Sequence, residues 1–254
     1  TGSTETAKII NRSLAGRDGA IATLIAETGG QNVMIVDSTA LPEQVVDDAI
    51  SSAFQSAGQR CSALRVLYIQ DDVADTIIPM LKGAMDCLSL GHPTNLKTDV
   101  GPVIDQDARK LLDDHVAYME KEGTLLHKLD APVDYANGTF FAPRLYEIKS
   151  LDQLKKEVFG PVLHVIRYKA SKLDDILAQI QNTGFGLTLG VHSRIEESAD
   201  YIFRNLDVGN TYVNRNIVGA VVGVQPFGGQ GLSGTGPKAG GPRYLYRFAT
   251  EKTL

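Results

Sequence analysis

The sequence predicts an α/β protein, a mainly parallel sheet with helices on both faces. Two observations carry this. Short apolar, strand-like runs alternate with longer amphipathic ones along the chain, which is how parallel strands joined by covering helices read. The composition is that of an ordinary soluble globular protein: 254 residues, 43% hydrophobic and 22% charged, enough to bury a sizeable core around such a sheet.

The elements follow in order. Ser3 or Thr4 can cap a helix through about Leu14, with Ala7, Ile10 and Leu14 on one face. Residues 20–26 are a short apolar run ending in Glu27-Thr28-Gly29-Gly30, and 33–36 reads as a strand. Residues 42–57 carry Val45, Val46, Ala49, Ile50, Ala53 and Phe54 on one stripe, a helix that Gly58 stops. A strand follows at 64–69. Asp71 and Asp72 can cap the next helix, through about Leu90, in which Cys87 reads as a core residue. After a loop with glycine and proline breaks, 105–122 returns to helix and 125–129 to strand. Residues 131–138 are polar and turn-rich, and 139–148 are extended. Strands at 157–168, 187–191 and 208–213 alternate with helices at 172–182 and 195–206. Ligand sites in such sheets are expected beyond the C-terminal ends of the strands. Residues 214–241 are rich in glycine yet carry apolar residues, so they read as loops wrapped around a site. The tail, 244–254, is suited to an edge strand available to a partner subunit.

Composition also excludes. The net charge of -5, with no basic block, argues against a nucleic-acid partner. No apolar stretch approaches the ~20 residues that span a bilayer. Two cysteines do not make a disulfide framework, which fits a reduced, cytoplasmic setting. The five histidines lack zinc-ligand spacing, so no protein-bound metal is expected. The chain opens on Thr1-Gly2-Ser3-Thr4-Glu5, a glycine turn running into a helix with no strand before it. That leads to the expectation of a C-terminal piece of a longer protein.

Cys61 stands at the joint of a helix and a strand, in Gly58-Gln59-Arg60-Cys61-Ser62-Ala63. Two readings stand at this level: a nucleophile, or a small apolar side chain that only packs. A free thiol has a pKa near ~8.5, so a nucleophile needs a neighbour that favours thiolate, and Arg60 is the adjacent candidate. Glu27, at the end of an apolar run and before paired glycines, projects into a cleft or is simply solvated.

Taken in order, Thr1-Gly2-Ser3-Thr4-Glu5, Glu27-Thr28-Gly29-Gly30, Gly58-Gln59-Arg60-Cys61, Glu157-Val158-Phe159-Gly160-Pro161 and Pro226-Phe227-Gly228-Gly229 resemble the aldehyde dehydrogenase superfamily over the whole chain. The separation of Glu27 from Cys61 is similar too. Cys61-Ser62 and residues 219–227 look most like its glutamate γ-semialdehyde (pyrroline-5-carboxylate) dehydrogenases, above all the bifunctional, proline-catabolic ones.

The resemblance implies the catalytic domain of that family, truncated at its N-terminus. Residues 1–28 would be a remnant of the NAD-binding domain, 29–230 the catalytic thiol domain, and 231–254 a C-terminal loop and oligomerisation strand. Cys61 would attack the aldehyde, its own backbone N–H serving as one oxyanion donor while an upstream asparagine serves as the other. Glu27 would activate the water that hydrolyses the thioester. Gly2, Ser3, Thr28, Gly29, Glu157 and Phe159 would hold NAD. Ala7 stands where the family often has glycine. Ser62, Gly219, Ala220 and Phe227 would bind an aldehyde that carries a carboxylate. Phe227 reads equally as a core aromatic, Gly219 as a flexible turn, and Ala220 replaces a serine found in some relatives. FAD is expected only in an upstream proline dehydrogenase domain, linked covalently to this chain. Homo-oligomerisation through the C-terminal strand is also implied. Two alternatives stay open: another small aldehyde as substrate, or a non-catalytic, structural or oligomerising domain.

Overall fold

The computed structural model describes residues 1–130 and 138–254. The turn-rich stretch expected at 131–138 thus lies outside the described residues, apart from its last position.

Helix α1 (Thr4–Ala15) opens the chain, capped by Ser3, whose hydroxyl accepts the Thr6 N–H at 3.1 Å. The face that bears Ala7, Ile10 and Leu14 is not buried. No residue of α1 is, and Ile10 is 45% exposed. Apolar periodicity selects a face but does not supply what covers it. Strand β1 (Val33–Val36), helix α2 (Pro42–Phe54), strand β2 (Val66–Gln70) and helix α3 (Asp71–Asp86) come next. Helix α4 (Gln106–Glu122), capped by Asp105, leads to β3 (Thr124–Lys128), β4 (Arg144–Glu147) and β5 (Val162–Tyr168). Helix α5 (Leu173–Asn182), strands β6 (Phe185–Gly186) and β7 (Thr188–His192), helix α6 (Glu196–Arg204), and strands β8 (Asn210–Val213) and β9 (Gln230–Gly231) complete the order.

Seven strands form one sheet in the order β3-β4-β5-β2-β1-β7-β8, while β6 and β9 form a separate ribbon. Every neighbouring pair in the large sheet is parallel except β3–β4. Val33 of β1 lies opposite Val66 on one side and Leu189 on the other. Every residue of β1 and β2 is buried, as central strands covered on both faces require. Helix α3 turns Ala74, Ile77, Ile78, Leu81 and Met85 inward at three- and four-residue spacing. Burying one such Leu or Ile fully stabilises by about 1.5–3 kcal/mol, so the stripe holds the helix in place.

Three further expectations are corrected. Helix α3 ends at Asp86, and Cys87 is its exposed C-cap, not a core residue. Two positions past the buried Met85 is about 200° round a helix, the solvent side. Asp71 and Asp72 do not cap α3. Gln70 holds the N-cap position and both aspartates lie in the first turn, where carboxylates favour the positive end of the helix dipole. The tail forms no strand. It makes a 3-10 turn at Leu245–Phe248 and an irregular, exposed end. Apolar residues favour a strand only when another edge offers a ladder of hydrogen bonds.

The placement of the chemistry-bearing loops also differs from expectation. Residues 27–30 lead into β1, 58–62 into β2 and 157–160 into β5. These loops therefore gather at the N-terminal edge of the sheet, not beyond its C-terminal ends.

Candidate active site

After α2 the backbone turns tightly, with Ser56, Ala57 and Gly58 all left-handed at φ 54°, 53° and 64°. For a residue with a side chain that region costs about 1–2 kcal/mol. At Gly58 glycine is required, because a Cβ there would lie 2.3 Å from the Gly160 carbonyl oxygen.

Arg65 holds this turn. It is fully buried. Its NH1 donates to the carbonyls of Gly58 at 2.7 Å and Gly160 at 3.3 Å. Its NH2 donates to the Arg60 carbonyl at 3.0 Å and to the Glu157 carboxylate at 3.1 Å. Asn32, also buried, grips the next residues. Its Nδ2 donates to the carbonyls of Cys61 at 2.6 Å and Ala63 at 2.8 Å, while its Oδ1 accepts the Thr188 N–H. The cysteine loop is thus fixed on both sides of its reactive residue. Sequence reasoning named neither residue. A cation inside the apolar run 64–69 was the available signal for Arg65, since a buried charge requires a partner.

Cys61 is half-buried. Burial pushes its thiol up, and the negative charges of Glu157 and Glu27 add to that, while the Ser62 and Cys61 backbone N–H groups pull it back. Arg60 is not the thiol's partner. Its Nε donates to Ser56 Oγ at 3.2 Å, back across the tight turn. Arg65 is the cation whose charge couples to Cys61.

Glu157 meets the loop from the other side. Burial raises its pKa, and the Arg65 charge and hydrogen bond and the Gly30 N–H oppose that rise. A Cβ on Gly29 would lie 1.9 Å from Glu157 Oε2, so the missing side chain is what lets this carboxylate sit there. Phe159 is half-exposed, with the Arg65 guanidinium carbon 5.3 Å from its ring centroid. Thr28 is buried, its hydroxyl donating to the Leu232 carbonyl at 2.6 Å.

The glycine-rich segment wraps Glu27. A Cβ on Gly228 would stand 2.8 Å from Glu27 Oε1, and one on Gly234 would stand 3.5 Å from Oε2. Burial raises the Glu27 pKa, with the Gly229 amide and Lys238 opposing. The Gly229 N–H lies near enough to ease the charge, and among the described residues neither carboxylate oxygen has a hydrogen-bond partner of ordinary geometry. A buried carboxylate without donors is one that takes up and gives back a proton readily. The Gly2 N–H donates to the Glu27 carbonyl at 3.1 Å, while Ser3 spends its hydroxyl on the helix cap.

Of the residues nominated for substrate, Ser62 is buried and its carbonyl accepts from the Thr188 hydroxyl at 3.3 Å. Phe227 is half-buried and exchanges two backbone hydrogen bonds with Ala239. Gly219 is left-handed at φ 78° and exposed, with open space where a side chain would point, and Ala220 is half-buried beside it. Their link to the cysteine loop runs through Ser52, whose hydroxyl accepts the Ile217 N–H at 3.1 Å and whose carbonyl accepts the Leu64 N–H at 2.9 Å. Among the described residues no group of three His, Cys, Asp or Glu side chains is placed to hold a metal, and no helix is long and apolar enough to cross a membrane.

The sequence signature of the Aldehyde dehydrogenase family matches residues 1–254. The bifunctional protein PutA of Klebsiella aerogenes is 54% identical over 99% of this chain, which spans 20% of that relative's length. A crystal structure of bifunctional proline utilization A (PutA) superposes over 100% of this chain with a TM-score of 0.96 and 59% identity, covering 26% of that structure. A 1-pyrroline-5-carboxylate dehydrogenase from Thermus, crystallised with bound NAD, superposes over 97% of this chain and 48% of its own, with a TM-score of 0.87 and 33% identity.

Proposed function

Since this chain belongs to the aldehyde dehydrogenase family, we propose that it carries the thiol chemistry of an NAD-dependent enzyme that oxidises L-glutamate γ-semialdehyde to L-glutamate. That reaction is the last step of proline catabolism. The observation that carries the reading is that Glu27 and Glu157, on separate loops, both lie close enough for their charges to act on the Cys61 thiol. The chain spans a fifth of the length of its PutA relative.

The roles follow from position. The Cys61 thiolate adds to the aldehyde carbon, and the oxyanion accepts a hydrogen bond from the Cys61 N–H. NAD, when bound, supplies the hydride acceptor that turns the resulting thiohemiacetal into a thioester. Glu27 then takes a proton from a water molecule, whose oxygen attacks the thioester carbon. The C–S bond breaks, and glutamate leaves as the Cys61 thiolate is restored.

The residues present fit the dinucleotide. Arg65 occupies Oε1 of Glu157, while Oε2 faces the bare Cα of Gly29 and is free to accept a ribose hydroxyl. Phe159 offers an exposed aromatic edge next to it. Gly2 and Ser3, at the N-terminal end of α1, suit the pyrophosphate, and Thr28 and Gly29 line the approach. Residues 1–28 belong on this reading to the cofactor domain, 29–230 form the thiol domain, and 231–254 close the site and serve assembly with a second copy. Ser62, Gly219, Ala220 and Phe227 receive the substrate's carboxylate and aliphatic chain. FAD belongs to a proline dehydrogenase unit preceding this chain, and the enzyme works in the cytoplasm.

Steady-state kinetics on the natural protein carrying this chain test the proposal. Glutamate γ-semialdehyde is expected to give a far higher kcat/KM than propanal. Cys61→Ala is expected to abolish turnover and leave NAD binding intact. Equal use of both aldehydes would remove the substrate assignment, and turnover surviving in Cys61→Ala would remove the chemistry.

A further inference from the structure

Helix α2 carries three polar side chains at four-residue spacing, Gln44, Asp48 and Ser52, and residues that far apart share one helix face. That face grips a single extended segment. Gln44 Nε2 donates to the Asn214 carbonyl at 2.7 Å and Ser52 Oγ accepts the Ile217 N–H at 3.1 Å, while the Asn216 N–H lies near enough to ease the charge of the Asp48 carboxylate between them. The segment between β8 and Gly219 is thereby laid along the whole length of α2. It is carried from the C-terminal edge of the sheet, where the Asn214 N–H donates to the Val191 carbonyl, back toward the edge where Cys61 stands.

His192, the last residue of β7, closes the grip from below. It is 1% exposed, and the Arg215 backbone lies near enough to its ring to oppose the fall in pKa that burial causes. Nε2 has no hydrogen-bond partner among the described residues. Nε2 stands 3.5 Å from Asp48 Oδ2, which also has no other partner. Asp47 and Arg215 are the other charged groups whose fields reach Asp48, and they oppose each other.

We infer that Asp48 and His192 act, with Gln44 and Ser52, as positioning residues for the loop that receives the substrate's carboxylate. The inference rests on the proposed substrate class. Neither side chain reaches the reacting atoms. Their work is to seat residues 215 and 216 so that the backbone of Gly219 and Ala220 arrives in register. Ser52 makes the same connection in a second way, because it bonds both Ile217 and the Leu64 amide behind the cysteine loop.

The test is a KM-against-kcat comparison on the natural protein with glutamate γ-semialdehyde and with propanal, which has no carboxylate. Asp48→Ala is expected to raise KM for the semialdehyde ~10-fold, with kcat and the propanal parameters changed less than ~2-fold, the size of one lost hydrogen bond to a charged group. Asp48→Asn, which keeps the side chain's shape and can donate to Nε2, is expected to restore KM to within ~3-fold of the parent. Ser52→Ala is expected to give the same selective rise, and it decides the matter if Asp48→Ala does not fold. A parent enzyme that prefers the semialdehyde, with variants that lose both aldehydes equally or neither, would overturn this inference alone. A parent with no preference would overturn the functional reading and this inference with it.

Discussion

Arg65 and Glu157 form a buried ion pair at 3.1 Å that ties the cysteine loop to the loop bearing Phe159. The arginine side chain is 0% exposed and the glutamate 17%. Burying the pair is costly, and its attraction does not by itself make it a stabilising feature. What the arginine adds is geometry: the same guanidinium also satisfies the carbonyls of Gly58, Arg60 and Gly160. It converts a strained turn into a fixed one.

Removing that cation leaves a carboxylate and three carbonyls without their donor. Arg65→Leu is expected to destabilise the protein by about 3–5 kcal/mol, read as a fall in denaturant midpoint at unchanged m-value. A change under about 1 kcal/mol would mean that water replaces the guanidinium freely.

The protonation of Cys61 supplies a second expectation. Burial, Glu157 and Glu27 all raise the thiol. Without cofactor, the thiolate therefore forms only above the ordinary range, and the rate of alkylation by iodoacetamide is expected to keep climbing past pH 9. Glu157→Gln removes one of the opposing charges, so it should shift the profile to lower pH and speed alkylation at pH 8. A shift in the other direction would show that Glu157 acts on the thiol through Arg65 and not through its own charge.

Gly29→Ala tests the cofactor assignment. Its methyl would fall 1.9 Å from Glu157 Oε2, so the carboxylate must move. KM for NAD is expected to rise ~10-fold or more with the fold retained, the scale of one lost charged hydrogen bond. An unchanged KM would remove Glu157 from the cofactor site.

Cys87 offers the converse. It is exposed at the end of α3, and Cys87→Ser is expected to alter stability by less than about 0.5 kcal/mol and leave turnover unchanged. It should be alkylated in the native protein, and resistance to alkylation would place it under a cover that the described residues do not show.

Much of this was legible in the residues. The alternation of apolar and amphipathic runs encodes the sheet and the helix order, because strand burial and helix stripes are local patterns. Cys61, Glu27 and the Glu157 loop stand out by their glycine and proline neighbours. Arg65 and Asn32 do not, since their importance lies in carbonyls brought from Gly160 and in the start of β7, which only tertiary contact supplies. The edge of the sheet used by the site was misread for the same reason: which end of a strand faces a cleft depends on how the loops return. Cys87 was misread because α3 stops one residue before it, and helix ends are set by packing as much as by propensity. The exposed face of α1 has a different cause: its pattern is amphipathic, but none of the described residues covers it.

The most direct test of the central claim is a single-turnover measurement on Glu27→Gln. The Glu27 carboxylate has a raised pKa because it is buried, so in the parent the hydrolytic step should fade as pH falls through a value above the usual carboxylate range. With glutamine in its place, one equivalent of NADH should form per site and then stop. Intact-protein mass spectrometry should find the glutamyl acyl group on Cys61. Sustained turnover at the parent rate, or an acyl group on Cys87 instead, would contradict the account.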